Sequence, residues 1–341
     1  MALSDRELDI IACMAFDASM SVAQVSAETG LRDHVVRHAL KGLVESGTIR
    51  LRPYVSPYSL GLMEFHAEVV VESPGQAALS ALAKAFVESP TSTFVGEVAG
   101  DYHLSVMFLA RSLAGIPRFF NDICAKLPEV KFRKSVSAVL GVTVTHPKRG
   151  PKPLPNSSIT YSAADKPQKF DEIDEKILVL LGSGAFSSRR ELAAQCGVPQ
   201  STLDYRIQGL QQRGVLLSIG YTMPDYSDGL SRYALRITAS SPGSELRERL
   251  QGLTVSHQAV RWMLQLAGSC DYVLGVRLSQ PGMVSAFTHE LRRHLDPFVS
   301  KVDVLPELFT HKTYINPEDL DVLRRLGTAD DEAAAAPRIA V

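Results

Sequence analysis

The stretch "GVPQSTLDYRIQGLQQRGVL", residues 197–216, reads as a tight turn, a short helix and the start of a strand. Much earlier the chain runs "GLRDHVVRHALKGLVESGTI", residues 30–49. Gly30 and Gly197 stand 167 positions apart, as do Gly42 and Gly209, Leu43 and Leu210, and Gly47 and Gly214. Two further matches keep step. "VAGDYHLSVMFL" (98–109) resembles "LAGSCDYVLGVRL" (266–278), with Gly100 and Gly268 168 apart, and "VTHPK" (144–148) resembles "FTHKT" (309–313), with His146 and His311 165 apart. Matches in one order and near one spacing describe a unit of about 165 residues present twice.

Each copy divides again. Ser4 stands three before Glu7 and Ser21 three before Gln24, both capping boxes that open helices. Leu8, Ile11 and Ala15 give the first helix an apolar stripe, Val22 and Val25 the second, and Val36, Leu40 and Leu43 a third. The second copy repeats this with Asp171 as cap, then Ile177, Leu180 and Leu181, then Ser188 with Glu191, then Leu203, Ile207 and Leu210. Gly30 and Gly197 sit where a helix C-terminal glycine belongs. The β-like runs "TIRLRPYV" and "VLLSIGYTM" follow Gly47 and Gly214, so three helices and a ribbon predict a winged helix-turn-helix.

The rest of copy one alternates as "FHAEVVVE", "GQAALSALAKAFVES", "TFVGEVAG", "YHLSVMFLA", "LAGIPRFFNDICAKL" and "KFRKSVSAVLGVTV". That order is βαββαβ, and copy two repeats it from "RYALRIT" to "VSKVDVLPEL". The predicted fold class is therefore α+β: two tandem units, each a winged helix-turn-helix followed by a ferredoxin-like βαββαβ domain. The expected boundaries are 1–54 and 169–221 for the heads, 61–148 and 229–316 for the βαββαβ domains, 149–168 for a linker and 317–341 for a tail. The linker, rich in Pro, Lys and Ser, is expected to be exposed, and the tail to be disordered. The helix-free faces at "HAEVVV" and "YALRI" are expected to pack the two βαββαβ domains on each other.

A chain of 341 residues is too long for one core, and 45% hydrophobic with 21% charged residues is ordinary for a globular protein. No apolar run reaches bilayer-spanning length, and the first residues lack a signal-peptide pattern, so a cytoplasmic protein without membrane partners is expected. Cys13, Cys124, Cys196 and Cys270 are scattered, which argues for reduced thiols rather than a disulfide or zinc framework. Net charge is −1, so any nucleic-acid surface must be locally basic rather than a property of the whole chain.

A helix-turn-helix joined by a ribbon to βαββαβ, with a glycine turn between the middle strands, resembles the Lrp/AsnC family of transcription regulators. The matching residues are "FDEIDEKILVLL", "LAAQCGVPQSTLDYRIQGLQQRGVL" and "RWMLQLAGSCDYVLGVRL" in copy two, and more loosely "LDIIACM", "VSAETGLRDHVVRHALKGLVESGTI" and "VAGDYHLSVMFL" in copy one. Members of that family carry one unit per chain and pair through a sensing domain of the RAM type. Fusion of two units implies a pseudo-twofold pair within one chain, and free divergence of the halves. The resemblance implies double-stranded DNA as partner, an amino acid or similar effector, and a homodimer or higher even oligomer.

If the third helix of each head enters the major groove, Gln200, Ser201, Thr202 and Tyr205 meet base edges and Arg206 meets phosphate in copy two. In copy one the same face carries Arg32, His34, Arg37, His38 and Lys41, with Asp33 and Asp204 working against phosphate. The turns Gly100-Asp101-Tyr102-His103 and Gly268-Ser269-Cys270-Asp271 are either plain hairpins or, as the resemblance implies, part of an effector pocket. His146, His311 and His103 have no ligand partners at helical spacing and no cysteine beside them, so no metal is expected. No nucleophile elbow, P-loop or dinucleotide fingerprint occurs, so no catalytic residue and no cofactor is assigned. The alternative is a sirohaem decarboxylase or related tetrapyrrole-modifying enzyme, which looks like an Lrp-type protein with a degenerate helix-turn-helix. This chain has "TSTFVGEVAG" and "QAVRWMLQLAG" where such enzymes carry a His-x-Tyr-x-Arg stretch.

Overall fold

A computed structural model describes residues 3–72, 75–145, 158–184, 186, 188–223, 229–241 and 243–313. His146 and the tail from 317 lie outside the described residues. The first unit runs α1 (Asp5–Met14), α2 (Val22–Thr29), α3 (Asp33–Glu45), β1 (Arg50–Val55), a 3-10 turn (Tyr58–Leu60), β2 (Met63–Val71), α4 (Gln76–Val87), β3 (Ser92–Val98), β4 (Leu104–Ala110), α5 (Gly115–Lys126) and β5 (Phe132–Thr145). After β6 (Ser158–Ser162) the second unit gives α6 (Glu172–Ser183), α7 (Arg189–Cys196), α8 (Gln200–Gln212), β7 (Leu216–Thr222), β8 (Ser231–Ala239), α9 (Ser244–Ser256), β9 (Val260–Ala267), β10 (Tyr272–Leu278), α10 (Met283–Leu295) and β11 (Val299–Thr313).

The heads form as their capping residues dictate. Ser4 and Ser21 each accept the N–H three residues on, and Glu7 and Gln24 return the bond to the cap backbone. Gly30 and Gly197 end α2 and α7 in the left-handed region, at φ 70° and 75°. Val36 and Leu43 anchor α3, and Leu203, Ile207 and Leu210 anchor α8, leaving the opposite face of each helix outward. Each head supplies only one strand to the ribbon, and β1 pairs antiparallel with β7, from Arg50 opposite Thr222 to Val55 opposite Leu216. The predicted ribbons are therefore one ribbon shared between the units. Gly220 is required there, because a Cβ would collide with the Ala15 carbonyl of the first head.

Beyond the heads, the strand order is β2-β4-β3-β11-β8-β10-β9-β5-β6, and β5 also pairs with β2. Eight strands, four from each unit, thus close on themselves. Closure uses two seams, β5 with β9 and β11 with β3. Val139 opposes Leu266 at one seam and Glu307 opposes Val98 at the other, and each residue stands 168 positions from its counterpart. The seams are related by a pseudo-twofold axis, and the closed ring leaves no strand edge open there.

Helices cover the outside. Phe65, Phe86, Phe108, Phe119 and Phe120 pack α4 and α5 on the first unit, with the Phe108 and Phe119 rings stacked at 4.0 Å. Leu235, Leu250, Leu274 and Leu291 do the same under α9 and α10. The helix-free faces meet inside the ring, where Val139, Leu264, Leu266, Val273 and Leu305 form one buried cluster. The linker differs from expectation. Residues 158–162 are a strand on β5, with Ile159 and Tyr161 buried, because β2 leaves that edge of β5 at Ala138 and β6 takes it from Gly141.

Candidate functional site

The two outward helix faces differ in the way their sequences do. Arg32 at the N-cap and His34, Arg37, His38 and Lys41 on α3 are all exposed, and Lys41 forms a loose ion pair with the neighbouring Glu45 at 3.7 Å. On α8, Gln200 and Ser201 are exposed at the N-terminus, Thr202 is half-buried, and Tyr205 is 74% exposed. An aromatic that open on a third helix is available for contact rather than for packing. Arg206, expected to face phosphate, instead binds Asp171 at 2.6 Å and Asp174 at 3.2 Å, while Arg213 holds the other oxygen of Asp174 at 2.8 Å. Asp174 is buried at the start of α6, and two guanidiniums compensate it there. Asp204, expected to oppose phosphate, is paired with Arg189 at 2.8 Å.

The glycine turns lie at the rim of the barrel, Gly100, Asp101, Gly268 and Ser269 exposed and Cys270 buried. His103 and Asp271 occupy equivalent places and do one job with different chemistry. The N–H of His103 donates to the Val69 carbonyl while its Nδ1 accepts the Val71 N–H at 2.9 Å. The N–H of Asp271 donates to the Ile237 carbonyl while its Oδ2 accepts the Ala239 N–H at 2.8 Å. Each side chain closes the end of its unit's first strand, so the Asp271 carboxylate is engaged by the backbone rather than held ready for an amino group. Burial pushes the Cys270 thiol up to about 11, so it is not a nucleophile at neutral pH.

Directly below the turns lies a polar core that no sequence motif marked. Glu68 of β2 meets Arg236 of β8 at 2.8 Å across the barrel, both buried. The Arg236 Nε–H is not aligned on the carboxylate, so the contact is an ion pair rather than a directed hydrogen bond. Ser269 donates to Glu68 at 3.0 Å, the Ser137 hydroxyl accepts the Ser269 N–H at 3.1 Å, and the Tyr102 ring lies 5.2 Å from the Arg236 guanidinium. Glu68 and Arg236 are 168 positions apart: they are each other's repeat counterparts, facing across the pseudo-twofold axis. Beside them, Tyr161 donates to the fully buried Glu64 at 3.1 Å, and His66 bonds Ser105 at 2.8 Å. The pattern was present in the sequence as ionisable side chains on one face of "EFHAE" and "RYALR", but only pairing across the barrel gives it meaning.

His311 binds Glu97 at 2.8 Å across the second seam. Among the described residues no three His, Cys, Asp or Glu side chains come together as metal ligands, and no helix is long and apolar enough to cross a membrane.

Two helix-turn-helix heads strapped by a common ribbon to a ring of paired ferredoxin-like sheets define the architectural class. Residues 170–216 match a family model described as winged helix-turn-helix DNA-binding. A crystal structure of a siroheme decarboxylase matches 96% of this chain and 99% of its own, at 15% identity and TM-score 0.61. A siroheme decarboxylase in complex with an iron-uroporphyrin III analogue matches at 15% identity and TM-score 0.60, over 95% of this chain and 98% of its own. At that identity the likeness is one of fold. A transcriptional regulator from Neisseria meningitidis in complex with L-Met is 19% identical, with 46% of this chain and 99% of its own covered at TM-score 0.36. No curated protein matches the chain.

Proposed function

We propose that the protein is a DNA-binding transcription regulator of the Lrp/AsnC kind, whose two heads read unlike half-sites on duplex DNA. In this reading the fused barrel supplies the pairing that single-unit regulators obtain between subunits, and a small effector such as an amino acid acts through it. The observation that carries the reading is the outer face of α3, where His34, Arg37, His38 and Lys41, with Arg32 at the N-cap, are exposed together on the third helix of a helix-turn-helix. The match of residues 170–216 to a DNA-binding model supports the same use for α8. Selection of bound fragments from random duplexes, followed by fluorescence anisotropy, tests it. Enrichment of one sequence class is expected, and retention of no duplex at low salt overturns the reading.

A second reading, chemistry on an acidic tetrapyrrole, has the full-chain fold likeness behind it. Against it, His66, His103 and His311 are each engaged in an internal hydrogen bond. Titration with sirohaem separates the two readings, since a shift of its absorbance on mixing is expected only of the enzyme.

A further inference from the structure

The loop that joins α1 to α2 is pinned to the shared ribbon and holds a carboxylate in place. The Ala18 N–H donates to the Ile219 carbonyl at 2.8 Å, and the Ser218 hydroxyl donates to the Phe16 carbonyl. Asp17 accepts the Ser19 N–H at 3.0 Å and the Ser19 hydroxyl, both on Oδ1. Its Oδ2 has no partner among the described residues. The repeat does not ask for this acid, since the position 167 later is Gly184.

Asp17 is half-buried in the wall of a cleft of about 640 Å³ between the heads. The first head supplies this loop, the second supplies α7 and α8, and the ribbon and β6 supply the rest. Leu51, Phe186, Leu217, Ile219 and Tyr221 line the cleft, and each is half-buried, so the fold leaves part of every one of them uncovered. Arg189 lines it too, but Asp204 already takes its guanidinium at 2.8 Å. What the described lining offers a ligand is therefore apolar surface, two aromatic rings and one unanswered negative charge.

We propose that this cleft binds a small organic cation, its ammonium group on the Asp17 carboxylate and its apolar body against Leu51, Leu217, Phe186 and Tyr221. A carboxylate partly withdrawn from water attracts an ammonium more strongly than one in bulk solvent, and the charge-assisted hydrogen bond fixes that end of the ligand. Aromatic rings within reach of a cation add to the preference, and covering the apolar side chains supplies affinity. At roughly 30 Å³ per water the cleft has room for about twenty waters, which suits a ligand of two or more rings. The site is separate from the glycine turns and does not depend on whether the heads bind DNA.

Calorimetric titration of the full chain with tryptamine, and in parallel with indoleacetate, tests the assignment, because the two share a ring system and carry opposite charges. Saturable binding of tryptamine is expected, with indoleacetate at least about tenfold weaker. Asp17→Asn keeps an Oδ1 acceptor for Ser19 and removes the charge. It should weaken tryptamine by a similar factor at an unchanged melting temperature. Gln211→Trp, on the exposed rim that α8 contributes, fills the cleft instead and should also weaken tryptamine, with circular dichroism unchanged. The assignment is overturned if tryptamine gives no saturable heat at millimolar concentration, if indoleacetate binds as tightly, or if either variant, folded as the parent chain is, binds tryptamine undiminished.

Discussion

Glu64 and His66 sit two residues apart on one strand and face the same interior, yet burial moves them in opposite directions. It lifts the Glu64 carboxyl to about 7, partly offset by the hydrogen bond from Tyr161. Burial, and then the Arg236 charge, lower the His66 imidazole to about 4. Between its ordinary value of 4.5 and about 7, Glu64 keeps in the folded state a proton that the unfolded chain releases, so its contribution to stability falls as pH rises. Between about 4 and 6.5 the unfolded chain protonates His66 and the folded chain does not, so its contribution falls as pH drops. The slopes oppose each other from pH 4.5 to 6.5. Glu64→Gln should therefore uncover a rise of ~2–3 kcal/mol across that window, and His66→Gln a fall of similar size. Urea unfolding at a series of pH values measures both, and flat profiles in both variants would refute the assignment.

The buried Glu68–Arg236 pair belongs to the same scale. Removing one partner of a buried ion pair leaves an uncompensated charge, which costs about 3–5 kcal/mol. Glu68→Arg places two guanidiniums face to face across the axis and should cost at least that much in denaturant unfolding. The double reversal Glu68→Arg with Arg236→Glu should recover most of the loss. No recovery would mean that the surroundings, Ser269 and Tyr102 above all, rather than the charges, set the energy of the pair.

At the scale of the element, α3 and α8 have the same length and apolar edge but use their arginines differently. Arg37 is exposed, whereas Arg206 is held by Asp171 and Asp174. On the DNA-binding reading, Arg37→Ala should weaken binding to every sequence and lower the salt slope by about one. Arg206→Ala should leave that slope unchanged and instead lower the melting temperature, because Asp174 keeps only Arg213. Anisotropy over a salt series and thermal melts, run on both variants, distinguish the two roles, and a reduced slope in Arg206→Ala would show that its ion pairs open on DNA.

For the whole molecule, the shared β1–β7 ribbon fixes the heads to each other and the two seams fix the sheets. Because the heads carry different outward residues, a preferred operator should have two unlike halves, and exchanging one half should cost roughly 1–3 kcal/mol per lost good contact. Footprinting on the selected site checks this. A short palindrome of identical halves would mean that only one head reads DNA.

The sequence by itself determined what depends on near neighbours. Caps three residues apart, apolar stripes at helical spacing and left-handed glycines are local devices, so "SDRE", "SVAQ" and the glycines at 30 and 197 announced their helices, and repetition near 167 announced two equivalent units. It also showed which helix faces point outward, because the apolar edge settles the opposite one. Only the tertiary structure decided which strand edges meet. β6 looked like linker because a five-residue strand has too little of its own to bury until the free edge of β5 receives it. Arg206 looked like a phosphate ligand because nothing local shows that Asp171 and Asp174, more than thirty residues earlier, close on it. The faces at "HAEVVV" and "YALRI" were expected to meet, but nothing local in either stretch shows that Glu68 and Arg236 pair across them. They become a buried pair only when a pseudo-twofold axis brings the same position of both units together, and that axis is a property of two sheets in contact, which no window of the chain contains.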